Sequence, residues 1–329
     1  MPQSAREKSS QMALGQMVQR NQGGGRRAED IRGAICPSVI CLRKHPAPCT
    51  CSQLSPAACS PGLCHNICMN YEHLLLSTVE GIATITLNRP DKRNALAMNV
   101  MLELTAALNE VAKSEAVGVI LAANGPVFSA GHNFGDMAGA TLEQARELFD
   151  VCTAMMDAVQ AMPQPVIARV HALATAAGCQ LVATCDLAVA ADTAGFAIPG
   201  GKAGLFCHTP LVAVARSVGR KRALEMALTG DAIDAATAAD WGLINKAVPA
   251  DQLEAATLDL IRRATRGSAL SKAIGKQAFY QQVGLPQDQA YALACETMAS
   301  AALMPDAQEG IQAFLEKRHA QYTQRSSVI

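Results

Sequence analysis

A run of small residues from Ala174 to Gly178 could bring a ligand close to the protein backbone. The run begins an apolar segment that predicts a short buried helix from Ala174 to Thr184. Free amides and the helix dipole at such a start favour negative charge, so the pattern indicates a site that stabilises an anion formed during a reaction. The same small residues are also typical of tight helix packing, which is the alternative interpretation.

Two side chains farther along the sequence are candidates for acid–base or nucleophilic chemistry. The histidine side chain can exchange a proton near neutral pH, so His208 is a candidate acid–base group, although a structural or surface role fits the same residue. Cys207 could act as a thiol nucleophile, but its apolar neighbours Leu205 and Phe206 favour a buried and inert role. His171 lies at the end of an apolar strand and is interpreted as a core histidine.

The elements that must position these residues alternate between strands and helices. Thr141 and Gln144 have the arrangement of a helix capping box. After Leu211 the sequence predicts helices, interrupted by one strand from Leu243 to Val248. The elements predicted before that point are strands over His73–Glu80, Gly81–Asn88, Val117–Ala122, Pro165–Val170 and Leu187–Ala191, and helices over Leu96–Lys113, Thr141–Met162 and Ala174–Thr184. The predicted fold class is therefore α/β.

Composition limits the classes of protein to which the chain can belong. The 329 residues are 50% hydrophobic and 17% charged with zero net charge, which is typical of a globular protein and excludes disorder throughout. Residues 69–329 hold 20 basic and 25 acidic side chains, so we expect no nucleic-acid partner. Charged side chains interrupt the most apolar region, residues 166–199, and we expect no membrane span.

The first 68 residues differ in composition from the rest of the chain. They contain seven of the 12 cysteines, many prolines and a triple glycine, so we expect a disordered Cys/Pro-rich extension. Met69 would make a natural start, which suggests a mis-called beginning; a transit peptide and a metal module are the alternatives. The cysteine spacings match no paired CxxC pattern, so we predict no metal site.

Four stretches together resemble motifs of the crotonase superfamily, the enoyl-CoA hydratases and isomerases. Their order and spacing match that family across residues 71–320, and the strings Ala176–Leu181 and Gly204–Cys207 resemble one of its branches in particular. The four stretches are Leu87–Leu96, Phe128–Asn133, Val170–Leu181, and Ala227–Asp231 leading to Ala238–Leu243.

The resemblance implies a crotonase-like ββα spiral over residues 69–265 and a helical C-terminal oligomerisation region over residues 266–329. It implies homotrimers or dimers of trimers. The expected ligand is an acyl-CoA thioester, with no cofactor beyond the CoA moiety of the substrate.

The resemblance also implies the site residues. In the family, two backbone amides polarise the thioester carbonyl and hold the enolate; by motif these are the amides of His132 and Ala177. Basic residues before the first helix would meet the CoA phosphates, although a solvated surface turn is the alternative, and Phe134 could equally belong to the core. The residues expected to contact CoA are Arg89, Lys92, Ala95, Asn133 and Phe134.

One departure from the family concerns the two glutamates that hydratases use. The matching positions hold Gln180 and Gly200, and no Asp or Glu occurs in residues 158–185 or 193–224. An amide can hold a water but cannot exchange a proton near neutral pH, so we expect feeble or absent hydratase activity. If His208 substitutes as the acid–base group, a different lyase or isomerase step is expected.

The expected function is thus acyl-CoA binding with enolate stabilisation, in fatty-acid or acyl-CoA metabolism. The alternative is a non-catalytic CoA-thioester binder or regulatory subunit on the same scaffold. We expect a cytoplasmic protein, with the mitochondrial matrix as the alternative.

Overall fold

The computed structural model describes residues 71–323. The predicted extension over residues 1–68 lies outside the described residues, and the division of the chain at residues 68 and 265 stays a prediction. Among the helices of the described part, none is both long and apolar enough to cross a membrane.

A six-stranded sheet forms the centre of the fold, in the order β1-β2-β3-β4-β6-β9. β1 and β2 form the predicted antiparallel hairpin, and every other neighbouring pair is parallel. The six strands are β1 (Leu74–Val79), β2 (Ile82–Leu87), β3 (Gly118–Ala123), β4 (Val166–Val170), β6 (Leu187–Ala191) and β9 (Lys246–Val248). The first five lie within one residue of their predicted bounds, because each is a short run rich in apolar residues that ends at turn residues.

Ten α-helices lie in the described part of the chain. The second begins with the predicted capping box, in which the Thr141 side chain accepts from the Gln144 amide and the Gln144 side chain accepts from the Thr141 amide. The helices are α1 (Met98–Ala112), α2 (Leu142–Ala161), α3 (Ala177–Thr184), α4 (His208–Val218), α5 (Arg220–Thr229), α6 (Ala235–Trp241), α7 (Leu253–Ala264), α8 (Ala269–Gln282), α9 (Gln287–Ala302) and α10 (Pro305–Leu315).

A second, three-stranded sheet was not predicted from the sequence. It consists of β5 (Ala174–Thr175), β7 (Gly195–Ala197) and β8 (Ile233–Asp234), in the order β5-β7-β8. The predicted helix start at Ala174 is therefore wrong: the first two residues pair with β7, and α3 begins only at Ala177. Strands this short show no alternation in the sequence, which is why the pattern could not separate β5 from the helix.

Helices cover both faces of the central sheet. On one face, alternate strand residues such as Ile85 and Leu121 join the main core with α1, α2 and α3. On the other face, Ile120 and Ile167 pack with Ile261 of α7. A parallel sheet buried on both faces is the usual arrangement of α/β folds, and it holds the ends of its strands in fixed positions.

The last three helices have a different surface from the rest of the fold. α9 has no residue buried against the rest of the described chain. Large apolar side chains are exposed along α8, α9 and α10; examples are Phe279, Tyr291, Met298, Leu303 and Phe314. Exposed apolar surface of this extent is typical of a surface that binds a partner.

An ion pair of low exposure attaches α8 to the sheet. Lys276 Nζ lies 2.8 Å from Asp186 Oδ2 and also donates to the carbonyls of Val159 and Gln164. The Tyr280 hydroxyl donates to the other Asp186 oxygen at 2.8 Å. Burial lowers the pKa of Lys276, but hydrogen bonds satisfy its ammonium group, so this cluster is structural.

Candidate active site

The loop that carries His132 lies directly against the start of α3. Gly131 has a φ of +81°, and a Cβ atom built on it would lie 2.8 Å from Ala176 Cβ and 3.1 Å from the Ala177 nitrogen. A side chain at this position would push the two segments apart, so only glycine allows this contact. The two segments expected to supply the amide donors are therefore in contact.

Ser129 holds these two segments together. The Ser129 carbonyl accepts from the Thr175 amide at 2.9 Å, and its hydroxyl accepts from the Gly131 amide at 3.2 Å. The same hydroxyl donates to the Asn94 carbonyl at 2.8 Å, and Ser129 is fully buried. Because two of these bonds join the loop to other segments, at Thr175 and at Asn94, they fix the position of the loop relative to the start of α3.

Gly178 shows that the packing interpretation of the small run is also correct. A Cβ atom on Gly178 would lie 2.6 Å from the Ser129 carbonyl oxygen and 2.7 Å from Ser129 Cβ. Close packing of α3 on the loop and a ligand site at the start of α3 do not exclude each other, because the packing determines where the helix start lies.

The backbone amides of His132 and Ala177 remain without a hydrogen-bond acceptor in the described chain after these contacts form. The amides just before them are occupied, since Gly131 donates to Ser129 and Ala176 donates to the Ala197 carbonyl at 2.9 Å. Neither the His132 nor the Ala177 amide donates to an acceptor in the described part of the chain. Ala177 is the first residue of α3, where amides have no partner inside the helix. Two free amides on contacting segments can bind an oxyanion.

Ala176 has a strained backbone at the point where β5 turns into α3. Its φ of +49° and ψ of −120° are rare for a residue with a side chain. Strain of this kind costs about 1–3 kcal/mol and is found preferentially at functional sites. The strained peptide leads directly into the Ala177 amide, so the conformation of Ala176 sets the direction of that amide.

Gln180 lies one turn into α3 and is only 5% exposed. Its amide donates to the Ala176 carbonyl at 3.0 Å, while its side-chain Oε1 has no hydrogen-bond partner among the described residues. An unpaired buried acceptor costs about 1–3 kcal/mol unless a water or ligand satisfies it. The Gln180 side chain can therefore hold a water or a ligand donor, but it has no carboxylate with which to move a proton.

The backbone around Gly200 leaves no space for a side chain. A Cβ atom on Gly200 would overlap the Leu205 carbonyl oxygen and lie 2.5 Å from Cys207 Sγ. The Leu205 amide donates to the Gly200 carbonyl at 3.0 Å, and the Gly200 amide donates to the Cys207 thiol. At the position that matches the second glutamate of the hydratases, the loop itself therefore occupies the space of a side chain. Burial raises the pKa of the Cys207 thiol, which agrees with its predicted inert role.

His208 lies on the surface, at the start of the helix that packs against α3. It is exposed at the first position of α4, and its ring centroid lies 5.2 Å from that of Phe206. In the described chain its side chain makes no hydrogen bond to the His132 loop or to α3. The surface interpretation of His208 thus fits the structure better than an acid–base role.

The turn that carries Arg89 and Lys92 is bonded to the donor loop. Residues 90–92 form a short 3₁₀ helix, and Lys92 is exposed while Arg89 is half-buried. The Arg93 carbonyl accepts from the Ala130 amide at 3.0 Å, and the Leu96 amide donates to the Gly131 carbonyl at 2.8 Å. Ala95 lies between these two bonds. Arg93 adds an exposed cation to the turn that sequence reasoning did not single out.

Asn133, the residue after His132, has a structural role. Its side chain caps a 3₁₀ helix over Phe134–Asp136 and donates to Asp136 Oδ1 at 2.9 Å. Asp136 Oδ2 in turn accepts from the Met98 amide at the start of α1. Phe134 is 68% exposed, which excludes the core interpretation and leaves its ring available to a ligand.

The His132 side chain was not considered in the sequence reasoning, which used only its amide. Both ring nitrogens are enclosed, and the Leu96 carbonyl is the backbone acceptor that acts on the ring. The ring meets Phe149 of α2 edge to face, with centroids 5.4 Å apart. Burial lowers the pKa of His132, and the Leu96 carbonyl and Asp136 oppose this effect.

A family model for enoyl-CoA hydratase/isomerase matches residues 77–325 of the chain. Enoyl-CoA hydratase domain-containing protein 3, mitochondrial, of Mus musculus is 44% identical over 284 residues, which cover 84% of this chain and 92% of that protein. The mouse protein belongs to the branch that the strings Ala176–Leu181 and Gly204–Cys207 of this chain resemble. The predicted relationship of this chain to that branch is therefore confirmed.

Solved structures agree with this similarity. The crystal structure of an enoyl-CoA hydratase from Mycobacterium smegmatis is 44% identical with a TM-score of 0.74, over 76% of this chain and 99% of that one. The human enoyl-CoA hydratase domain-containing protein 3 is 42% identical with a TM-score of 0.71 at the same coverage. These similarities confirm the predicted α/β, crotonase-like fold.

Proposed function

We propose, from the premise that this chain belongs to the enoyl-CoA hydratase/isomerase family, that it binds an acyl-CoA thioester and stabilises the enolate form of the thioester. The observation that carries the proposal is the pair of free amides, His132 and Ala177, on two segments that Gly131 allows into contact. No other cofactor is required, because the CoA moiety belongs to the substrate.

The chemistry follows from where negative charge would develop. When a bond to the α-carbon breaks, its electron pair moves onto the thioester oxygen. Amides that already point at this oxygen need no reorganisation, and each is worth about a hundred- to a thousandfold in rate. The start of α3 adds the favourable end of a helix dipole. The site therefore favours reactions that pass through an enolate.

Residues on either side of the donor loop are suited to hold the CoA moiety. The turn with Arg89 and Lys92 provides cations for phosphate groups, and its bonds to the loop couple the cations to the donors. Ala95 and Asn133 lie next to these bonds, and the exposed Phe134 ring offers an apolar surface for the pantetheine arm.

Water addition to an enoyl thioester is not the favoured reaction. Hydration needs a group that deprotonates water and a group that delivers a proton, and each contributes about a hundred- to ten-thousandfold. Gln180 and Gly200 supply neither, and the backbone around Gly200 leaves no space for a side chain. We therefore favour an isomerase or lyase step in acyl-CoA or fatty-acid metabolism.

A second candidate function is a non-catalytic CoA-thioester binder or regulatory subunit. The closed loop at Gly200 favours it, because that loop replaces catalytic groups by packing contacts.

Assembly and location are also proposed from the relatives and the surface. The exposed apolar side chains of α8, α9 and α10 suit a homotrimer or a dimer of trimers. The relative from Mus musculus is named as mitochondrial, so we propose the mitochondrial matrix. The expected cytoplasmic location finds no support in that name.

Infrared spectroscopy of bound butyryl-CoA labelled with ¹³C at the thioester carbonyl tests the proposal without turnover. Polarisation by two amides should shift the carbonyl band to lower frequency. Ala177→Pro removes one amide at the first position of α3, and it should abolish much of the shift. Ala269→Pro, at the first position of α8, is the matched control. Binding without any shift would favour the non-catalytic alternative, and absence of binding would contradict both functions.

A further inference from the structure

The surface of α4 and α5 carries an excess of positive charge that has no role in the site described above. Residues 193–224, which end in α5, contain five basic side chains and no Asp or Glu, although the whole chain holds equal numbers of both signs. The five are Lys202, Arg216, Arg220, Lys221 and Arg222. Glu225 is the one acid within the two helices. The charge is therefore concentrated on one part of the fold.

Three of these cations are exposed and have no acidic partner. Arg216, Arg220 and Lys221 form no ion pair with any residue of the described chain. The Arg216 guanidinium donates to a carbonyl of its own helix at 2.8 Å, which leaves its charge uncompensated. Two cations of α7 differ in this respect, since Arg262 and Arg263 each lie within 2.9 Å of a carboxylate oxygen.

The position of the cations does not serve the stability of α5. Arg220, Lys221 and Arg222 are its first three residues, and its first turn has no acid. The positive end of the helix dipole disfavours cations at that place. Arg222 is compensated by Asp240 at 3.7 Å and by the ring of Trp241 beneath it, but Arg220 and Lys221 are not. A partner of negative charge would remove this repulsion.

Large aliphatic side chains lie among the unpaired cations. Val212 and Leu228 are 54% and 73% exposed, and Leu224 is exposed between them in the sequence. Residues four apart lie on one side of a helix, so Val212 shares a side of α4 with Arg216, and both leucines share a side of α5 with Arg220. The opposite sides of the two helices are buried in the main core. We call these six residues the basic surface: Val212, Arg216, Arg220, Lys221, Leu224 and Leu228.

The composition of the basic surface distinguishes between classes of anionic partner. Single-stranded nucleic acids are held by aromatic rings between the cations, and α4 and α5 contain no aromatic residue other than His208. Protein interfaces are enriched in aromatic residues and depleted of lysine. Leucine and valine beside Lys and Arg are instead typical of helices that lie in the headgroup region of an anionic membrane. The exposed apolar surface of α8, α9 and α10 differs, because acids such as Asp288, Glu296 and Glu309 accompany it.

We propose that the basic surface docks this protein on a bilayer that contains anionic phospholipids. Arg216, Arg220 and Lys221 contact the lipid phosphates, and the aliphatic side chains enter the boundary between headgroups and acyl chains. The docking is peripheral, since no helix of the described chain can span a membrane. This inference goes beyond the proposed function and does not depend on it, because none of the six residues belongs to the acyl-CoA site.

Sedimentation of the full chain with vesicles tests the electrostatic part. The protein should bind vesicles of equal parts phosphatidylglycerol and phosphatidylcholine, and it should not bind phosphatidylcholine alone. Each basic residue near an anionic surface contributes about fivefold to partitioning, so changing Arg216, Arg220 and Lys221 together to Gln should weaken binding by about a hundredfold. The charge-matched control changes Lys246, Arg262 and Arg263 to Gln and should bind within about threefold of wild type.

A fluorescent reporter tests which surface faces the lipid. Trp241 is the only tryptophan of the chain, so Trp241→Phe provides a background without indole emission, and the Phe ring still lies under Arg222. In this background, Leu228→Trp should shift its emission to the blue when phosphatidylglycerol vesicles are added. Phe314→Trp, on the exposed apolar side of α10, is the control and should not shift.

Each outcome supports or overturns the docking surface. Absence of binding to the anionic vesicles, equal losses in the two triple variants, or a shift only in Phe314→Trp would overturn it. Retention on immobilised poly-glutamate without vesicle binding would assign the surface to an acidic protein and would also overturn it. If the triple variant fails to fold, the salt dependence of wild type decides: added NaCl should release the protein, and binding unaffected by salt would contradict the inference.

Discussion

The two halves of the candidate site differ in how they are built. The oxyanion half consists of backbone: Gly131 and Gly178 allow the close approach, and Ser129 bonds the two segments together. The acid–base half of the family site consists of side chains, and here it holds Gln180 and the closed loop at Gly200. The comparison teaches that the position of the two free amides is tied to the fold itself, whereas the positions of the family's acid–base groups hold side chains that can change without disturbing it.

Gly131→Ala should have the largest effect, because it acts on the backbone half. The new Cβ atom would meet Ala176 and the Thr175 carbonyl at less than 3 Å, so the donor segments must separate. We expect α-proton exchange or turnover of an acyl-CoA to fall by about a hundredfold or more. Gly139→Ala is the control, since Gly139 has a similar positive φ and open space around it. Equal losses in both variants would show that the approach of the segments is unimportant.

Gly200→Ala tests whether the acid–base half of the site has no space for a side chain at Gly200. The methyl group would overlap the Leu205 carbonyl, and overpacking of this kind costs about 1–3 kcal/mol in the free energy of unfolding. Urea denaturation measures this cost. A Cβ atom on Gly201 has more space around it, so Gly201→Ala should lower the free energy of unfolding by less. A neutral Gly200→Ala would mean that the loop opens easily and that a carboxylate could be reintroduced there.

Ala176→Gly sharpens the comparison, because it relaxes strain in the backbone half and removes only one half-buried methyl group from the side of the main core. Glycine adopts the φ of +49° freely, so the variant should be more stable by roughly 0.5–2 kcal/mol after the larger unfolded-state entropy of glycine is subtracted. Thermal unfolding should show a raised Tm. Ala183→Gly, inside α3, is the control with the opposite expected sign: its free energy of unfolding should fall by about 1 kcal/mol.

The smallest expected effect is on the pH dependence of stability. Burial holds the pKa of His132 below its ordinary value, so between the two values the unfolded chain binds more protons than the folded one. Stability should therefore be complete above the ordinary histidine pKa of about 6.5 and should fall as pH decreases towards the folded value. His132→Gln should show a shallower fall in urea titrations below neutral pH. Identical slopes would contradict enclosure of the ring.

Long periodic elements could be predicted from the sequence, but short ones could not. The buried strand over Leu187–Ala191 and the Thr141 capping box were found because apolar runs and capping residues are local signals. β5, β7 and β8 were missed because pairing over two or three residues depends on distant partners. The false helix start at Ala174 has the same cause.

For the site, the sequence indicated which residues matter but not what surrounds them. The motif resemblance pointed to His132 and Ala177, and the structure shows their amides free on contacting segments. The lack of space at Gly200 could not be predicted, because it depends on where Leu205 and Cys207 return to it. The enclosure of the His132 ring could not be predicted for the same reason, because burial depends on the folded surroundings.

The surface of α9 has a consequence for how the protein behaves at low concentration. A helix that buries no residue against the rest of its described chain gains little free energy from its own subunit. If neighbouring copies cover its apolar side, dilution should loosen the C-terminal helices before the sheet melts, and mass action would then govern the order of unfolding. The loosening should stop at α8, because the ion pair between Lys276 and Asp186 attaches that helix to the sheet.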